Sequence, residues 1–389
     1  MSVIVSYQRT PYGRLLGGLS SLSATELGAI ALKAALEQAD IAPGDVSRVV
    51  AGHVLQAGAG QNPARQTAVQ AGIPLNVPAL TVNAVCLSGM EAVISGHRLI
   101  ASGHADIVAC VGQESMSKAP HIIPNSRVGT KYGSLEVLDT MELDGLTDAF
   151  GHCSMGVSTE QGNSERSIDR RSQDEWAARS HQRAAASADF VAGEITPVSY
   201  SVRGKDVVVS QDEGIRADTT VETLSALRPA FEKDGTITAG NASPISDGAA
   251  AIILMSEAEA HRRGLTGLAR IVGDAFVAGP DTQLHSQPSR AIEHALAQAG
   301  RDITECRAIE INEAFASVAL QSMADLRVDA EIVNVHGGAI ALGHPIGSSG
   351  ARIVGTLARQ LAAQGSGSLG AAGICGGGGQ GMAVVLEAL

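Results

Sequence analysis

Aromatic residues are scarce. The 389-residue chain holds one tryptophan, four tyrosines and five phenylalanines, 3% of the whole. A core without them must be filled by aliphatic side chains and by close backbone approach. The 44% hydrophobic content and the 45 glycines suit that arrangement. Charged residues are few as well, at 17%, and this composition is that of a packed globular chain rather than a disordered one. The net charge of −12 argues against general nucleic-acid binding, while leaving room for a local basic pocket. No uninterrupted apolar run reaches membrane-spanning length. Met1-Ser2-Val3-Ile4-Val5 runs directly into a strand-like stretch, without the charged-then-apolar pattern of an export signal. A cytoplasmic protein with no membrane partner is expected. The five cysteines are odd in number and show neither close pairs nor metal-ligand spacing, so reduced thiols are expected and no metal site. No Gly-x-Gly-x-x-Gly with a following acidic residue succeeds an early strand, which argues against a dinucleotide-dependent oxidoreductase.

The length allows two or three domains. Strand-like runs are expected at 3–5, 46–54, 80–83 and 107–111, and helices at 26–38 and from Cys86 to about Ala101. Ser23-Ala24-Thr25-Glu26 reads as a capping box ahead of the first helix. From about 115 to 240 the charges thicken and the strand–helix alternation stops; only 173–190 reads as a helix there. Alternation returns at Gly248. An internal repeat then shows: Ala35-Leu36-Glu37-Gln38-Ala39 is echoed by Ala295-Leu296-Ala297-Gln298-Ala299, and Leu87-Ser88-Gly89 by Ser348-Ser349-Gly350. The expectation is two related α/β halves, residues 1–114 with 246–268 and residues 269–389, around an inserted loop domain at 115–245. Both glycine-rich helix starts are expected to face one cleft.

Four segments carry candidate chemistry. Gly337-Gly338-Ala339-Ile340-Ala341-Leu342-Gly343-His344-Pro345-Ile346-Gly347-Ser348-Ser349-Gly350-Ala351-Arg352 places His344 on a tight loop before a helix. Pro345 biases it towards an extended backbone, and helix starts favour negative charge. Cys86 lies at a strand-to-helix turn, where a thiol is expected to have a lowered pKa and to act as a nucleophile. The competing reading is a small buried hydrophobe. Cys375 precedes four glycines, whose N–H groups suit an oxyanion. A phosphate loop would want a helix next, and 382–386 reads instead as a strand. Asn312 ends a strand between Glu310 and Glu313; it either organises the site or caps a helix. Cys110, Cys153 and Cys306 lack such settings.

Together these segments resemble the thiolase family over essentially the whole chain. The resemblance rests on Asn83-x-x-Cys86-x-Ser88-Gly89, Gly112-x-Glu114-x-Met116-Ser117-x-Ala119-Pro120, Asn312-Glu313-Ala314-Phe315-Ala316, Gly337 through Arg352, and Cys375 with its glycines, in matching order and spacing. It implies a five-layer α-β-α-β-α sandwich of two βαβαβαββ halves with an inserted loop domain. It implies Cys86 as the acyl-carrying nucleophile, His344 as the group taking its proton, and Cys375 as acid/base at the substrate α-carbon. Asn312 would position a water that forms one oxyanion hole with His344, and the N–H groups of Cys86 and Gly377 would form the other. It puts Arg216, Phe231, Ser243, Ser154, Met155 and Phe315 along the coenzyme A and acyl groove. Coenzyme A would be substrate and product, with no tightly bound cofactor. The implied activity is acetyl-CoA C-acetyltransferase. The alternative is a degradative 3-ketoacyl-CoA thiolase of β-oxidation acting on longer chains. Decarboxylating ketoacyl synthases share the fold but use a histidine where this chain has Cys375. A homo-oligomer, dimer or tetramer, is implied, with 58–66 as an interface segment. One departure stands out: thiolases specialised for acetoacetyl-CoA commonly have His-Met-Gly where this chain has Ser154-Met155-Gly156, and His152 lies two residues early.

Overall fold

The computed structural model describes residues 1–202 and 204–389. The chain begins β1 (Ser2–Arg9), α1 (Ala24–Gln38), β2 (Arg48–Gly52), α2 (Pro63–Gln70), β3 (Ala79–Val82), α3 (Ser88–Ala101), β4 (Ile107–Ser115). After the intervening segment, which contains α4 (Met155–Arg166) and α5 (Arg170–Ala186), comes β5 (Ser246–Ser256). The pattern then repeats: β6 (Ala269–Ala278), α6 (Gln287–Ala299), β7 (Cys306–Ile311), α7 (Ala316–Leu326), α8 (Ser349–Gln364), β8 (Leu369–Gly376), β9 (Gln380–Ala388). The capping box before α1 is present, with Ser23 and Glu26 each satisfying the other's backbone N–H.

The strands run β3-β2-β4-β5-β1-β6-β9-β8-β7. Read outward from the middle, the two sides have the same order and the same strand senses. The counterpart of β3 in the second half is reduced to one parallel bridge between Ile309 and Val333. A short antiparallel contact, Val3 to Arg270 and Ile4 to Ala269, joins the halves. The repeat read from two short echoed segments is therefore a repeat of topology.

Alternation along the strands makes the layers. In β4, Ile107, Ala109 and Val111 face α1 and α2, while Val108 and Cys110 face α3 and α8. On the other side, Ile309, Ile311, Ala371 and Val385 face α6 and α7. Outer helices, sheet, paired central helices, sheet and outer helices make five layers. Among the described residues, no helix is long and apolar enough to cross a membrane.

In the inserted segment the reading missed α4. Its buried face is Gly156, Ser158, Thr159, Glu160, Gly162 and Asn163, so no apolar periodicity marks it. The helix expected at 173–190 is α5 followed by a separate turn of helix at Ala188–Ala192.

The central helices meet at their starts. A Cβ on Gly89 would come 2.8 Å from the Ala351 nitrogen, and one on Gly350 would come 2.3 Å from the Met90 nitrogen. The two glycines are equivalent positions in the two halves, each met by the residue that follows the other. Gly350→Ala is expected to lower stability by about 1–3 kcal/mol, the usual range for overpacking, read as a lower urea midpoint. An unchanged midpoint would mean that this contact does not hold the helix starts together.

Candidate active site

The first turn of the site follows β3. Val85 has φ +52°, a left-handed conformation that is an outlier for a β-branched residue. Neighbours hold it there. The Val85 N–H donates to Asn83 Oδ1 at 2.9 Å, the Ala84 N–H donates to Ser88 Oγ at 2.9 Å, and the Ser88 hydroxyl donates to the Val85 carbonyl at 2.6 Å. This explains why asparagine and serine flank Cys86 at their spacing. The turn ends with Cys86 two residues ahead of α3. The expected lowering of its pKa is corrected here. Burial pushes the thiol up to about 12, only partly offset by hydrogen bonds from the N–H groups of Gly377 and of Cys86 itself. Desolvation outweighs the helix start, so the resting group is a thiol that needs a base.

His344 lines the same cavity as Cys86. It is 6% exposed. Its Nδ1 lies 2.6 Å from Ser349 Oγ, whose hydroxyl donates to the Pro345 carbonyl at 3.1 Å. Ser349 thus accepts from Nδ1–H, which leaves Nε2 as the basic nitrogen, buried and without a protein partner. Burial, assisted by the Arg352 charge, lowers the His344 pKa to about 3. The imidazole is neutral at working pH.

Cys375 is the penultimate residue of β8, 1% exposed. Burial pushes its thiol well up, and Cys86 adds to the effect. The glycines after it form a hairpin, Cys375 pairing with Gly381 and Gly376 with Gln380. A strand follows, as expected, so the phosphate-loop reading falls. Asn312 is fully buried at the end of β7, and both atoms of its amide lack protein partners. It does not cap α7, whose N-cap is Phe315. A buried amide of this kind calls for a polar partner such as an ordered water.

The carboxylates flanking Asn312 also have identifiable tasks. Glu313 accepts from Trp176 Nε1 (3.0 Å), Ser180 Oγ (2.8 Å), Asn334 Nδ2 (2.9 Å) and the Ile340 N–H (3.1 Å). It ties α5 to the His344 segment. Glu310 pairs with Arg352 at 3.1 Å with both side chains fully buried; burial pushes its pKa up to about 8, against the lowering effect of Arg352.

One cavity of about 410 Å3 is lined by Cys86, His344, Cys375, Gly377, Ser154, Met155, Phe231, Ser243 and Phe315, among others. Nine of the eleven candidate residues therefore line one space. Asn312 sits outside that lining. Arg216 is exposed and is not part of the lining of this cavity. Ser154 is the N-cap of α4, its Oγ accepting from the Val157 N–H at 3.2 Å. His152 is exposed with φ +50° and does not line the cavity, so it does not take the place of the missing histidine. Met141, Leu146, Leu284 and Ile346 complete the apolar wall. None was named as a wall residue, because they come from three segments distant in sequence, and the meeting of those segments carries no local signal.

Residues 2–258 match the thiolase N-terminal domain and residues 265–388 the thiolase C-terminal domain. The chain belongs to the thiolase family. The similarity to individual thiolases is equally extensive. A probable acetyl-CoA acetyltransferase of Mycolicibacterium smegmatis is 53% identical over 388 residues, covering 99% of this chain and all of that protein. Acetyl-CoA acetyltransferases of Rhizobium meliloti and Chromobacterium violaceum are 47% and 46% identical, each alignment covering 98% of the relative. As a thiolase, the chain is an acyltransferase.

The raised thiol gives a direct test. Alkylation of the Cys86 peptide by iodoacetamide is expected to rise about tenfold per pH unit from pH 6 to 9, because the thiolate fraction keeps growing below a pKa near 12. A plateau beginning near pH 8.5 would show an ordinary thiol.

Proposed function

We propose that this thiolase is a cytoplasmic acetyl-CoA C-acetyltransferase that condenses two acetyl-CoA molecules to acetoacetyl-CoA and coenzyme A, and runs in reverse when metabolite levels favour cleavage. Coenzyme A is substrate and product, not a resident cofactor, and the working form is a homo-oligomer. The observation that carries the reading is the meeting of two neutral thiols, one neutral imidazole and the Gly377 turn around one cavity. The names of the relatives support the acetyl preference.

Each group then has a role. His344 Nε2 takes the Cys86 proton as the sulfur attacks the acetyl carbonyl, and the N–H groups of Cys86 and Gly377 stabilise the oxyanion. The coenzyme A sulfur leaves with the proton of Cys375. The products of this half-reaction are acetyl-Cys86, an imidazolium and a Cys375 thiolate. That thiolate removes an α-proton from the second acetyl-CoA. The enolate oxygen is held by protonated His344 and by a water on Asn312. The enolate attacks acetyl-Cys86, the carbon–carbon bond forms, and the expelled Cys86 sulfur recovers its proton from His344. Phe231, Ser243, Met155 and Phe315 line the acyl and pantetheine path, and Arg216 offers charge to a phosphate further out.

The degradative reading on longer chains keeps a foothold at Ser154. Serine leaves more room beside the thioester than histidine would. A single lost hydrogen bond costs about 1 kcal/mol, while each extra methylene buried contributes up to about 0.8 kcal/mol. Activity is expected on acetoacetyl-CoA and usefully on C6 and C8 substrates.

Two tests follow from these roles. Cys375→Ser is expected to acetylate at Cys86, seen by peptide mass spectrometry, yet to stop exchanging the α-protons of acetyl-CoA with deuterated solvent. Exchange at the wild-type rate would remove Cys375 as the base. Ser154→His is expected to shift kcat/KM towards C4 relative to C6 and C8. Because that change also removes a helix cap worth about 1 kcal/mol, Ser154→Asn serves as the cap-preserving control. A C4:C8 ratio unmoved by either substitution would show that this position does not set chain length.

A further inference from the structure

One buried carboxyl group near the cavity has no part in the chemistry above. Glu114 ends β4 with its side chain fully buried. No lysine or arginine pairs with it among the described residues. Its oxygens instead accept from three backbone N–H groups, and one imidazole lies beside them. Oε2 accepts from Val54 and Gly347, each at 3.1 Å; Oε1 accepts from Leu55 at 3.2 Å and lies 3.3 Å from His53 Nε2. His53 is 2% exposed.

These donors come from separate segments. Val54 and Leu55 follow β2. Gly347 belongs to the His344-Pro345-Ile346-Gly347 loop. The loop fits against Glu114 only because position 347 has no side chain: a Cβ there would lie 2.8 Å from Glu114 Oε2 and 2.5 Å from the Gln113 carbonyl. Ile346, between Gly347 and the catalytic histidine's proline, packs with Val54, Leu55 and Met116, and Cys86 touches the same cluster. Glu114 thus clamps the far end of the histidine loop to the segment beneath the nucleophile. The near end is held by Ser246 Oγ, which accepts from the His344 N–H at 3.2 Å.

We propose that Glu114 is a positioning residue for His344, and that His53 completes its set of donors and fixes its orientation. The inference rests on the reading of His344 as the base for Cys86. It assigns to the Glu114 carboxyl group the task of keeping Nε2 in reach of the Cys86 thiol, where a displacement of about 1 Å costs on the order of a hundredfold in rate.

The test uses the full-length enzyme and acetoacetyl-CoA thiolysis. Glu114→Gln keeps the shape but turns one acceptor oxygen into a donor that faces other donors. Its kcat is expected to fall by about ten- to a hundredfold, with KM for acetoacetyl-CoA within about twofold of wild type. In a His344→Asn background the same change is expected to add no further loss, since it acts through His344. Losses that multiply in the double variant, or a kcat for Glu114→Gln within about twofold of wild type, would overturn the proposal. Should Glu114→Gln fail to fold, the His53 pair decides. His53→Gln retains a donor for Oε1 and His53→Leu does not, so kcat is expected to be at least about fivefold higher in the glutamine variant; equal values overturn the proposal. Full activity in His344→Asn would remove the reading of His344 as the base and this inference with it. Full activity in Glu114→Gln beside an inactive His344→Asn would remove this inference alone.

Discussion

Two helix starts touch backbone to backbone where Gly89 meets Ala351 and Gly350 meets Met90. Everything at the catalytic centre depends on that contact. Each helix is entered through a turn that carries one reactive side chain, Cys86 before α3 and His344 before α8. Bringing the helix starts together brings the turns together. The rest of the fold serves this approach. Matching strand orders place equivalent helices on the inner faces of the two sheet halves, and small residues on those helices let them pack closely.

The cost of the arrangement is electrostatic. The centre is buried enough to push both thiols up and the imidazole down, so the groups rest neutral. The same burial makes partners for nearby carboxyl groups important. Glu313 has four donors, Glu114 has three N–H groups with His53 beside them, and Glu310 has Arg352 on one oxygen while Oε1 lacks a protein partner. Each of the three also joins segments distant in sequence. Buried polar groups here couple loops that apolar packing alone would leave adjustable.

A neutral resting state also has a chemical consequence. A permanently formed thiolate beside a solvent-reachable cavity would be open to oxidation and alkylation. In the proposed mechanism proton transfer accompanies the attack on the substrate, so nucleophilicity develops at that moment.

The amino-acid sequence by itself determined the two-half architecture, the segments carrying Cys86, His344, Cys375 and Asn312, and the family. These were legible because each is written locally. Strand faces alternate, helix starts carry serine and glycine, and reactive residues sit in motifs a few positions long. The tertiary structure alone decided the direction of the Cys86 pKa, the polar-faced helix α4, and the cavity wall formed by Met141, Leu146, Leu284 and Ile346. It alone showed what Glu114 holds. The physical reason is common to all of these. Desolvation, cavity shape and the partners of a buried charge depend on atoms brought together from remote parts of the chain, and no short window of sequence contains them.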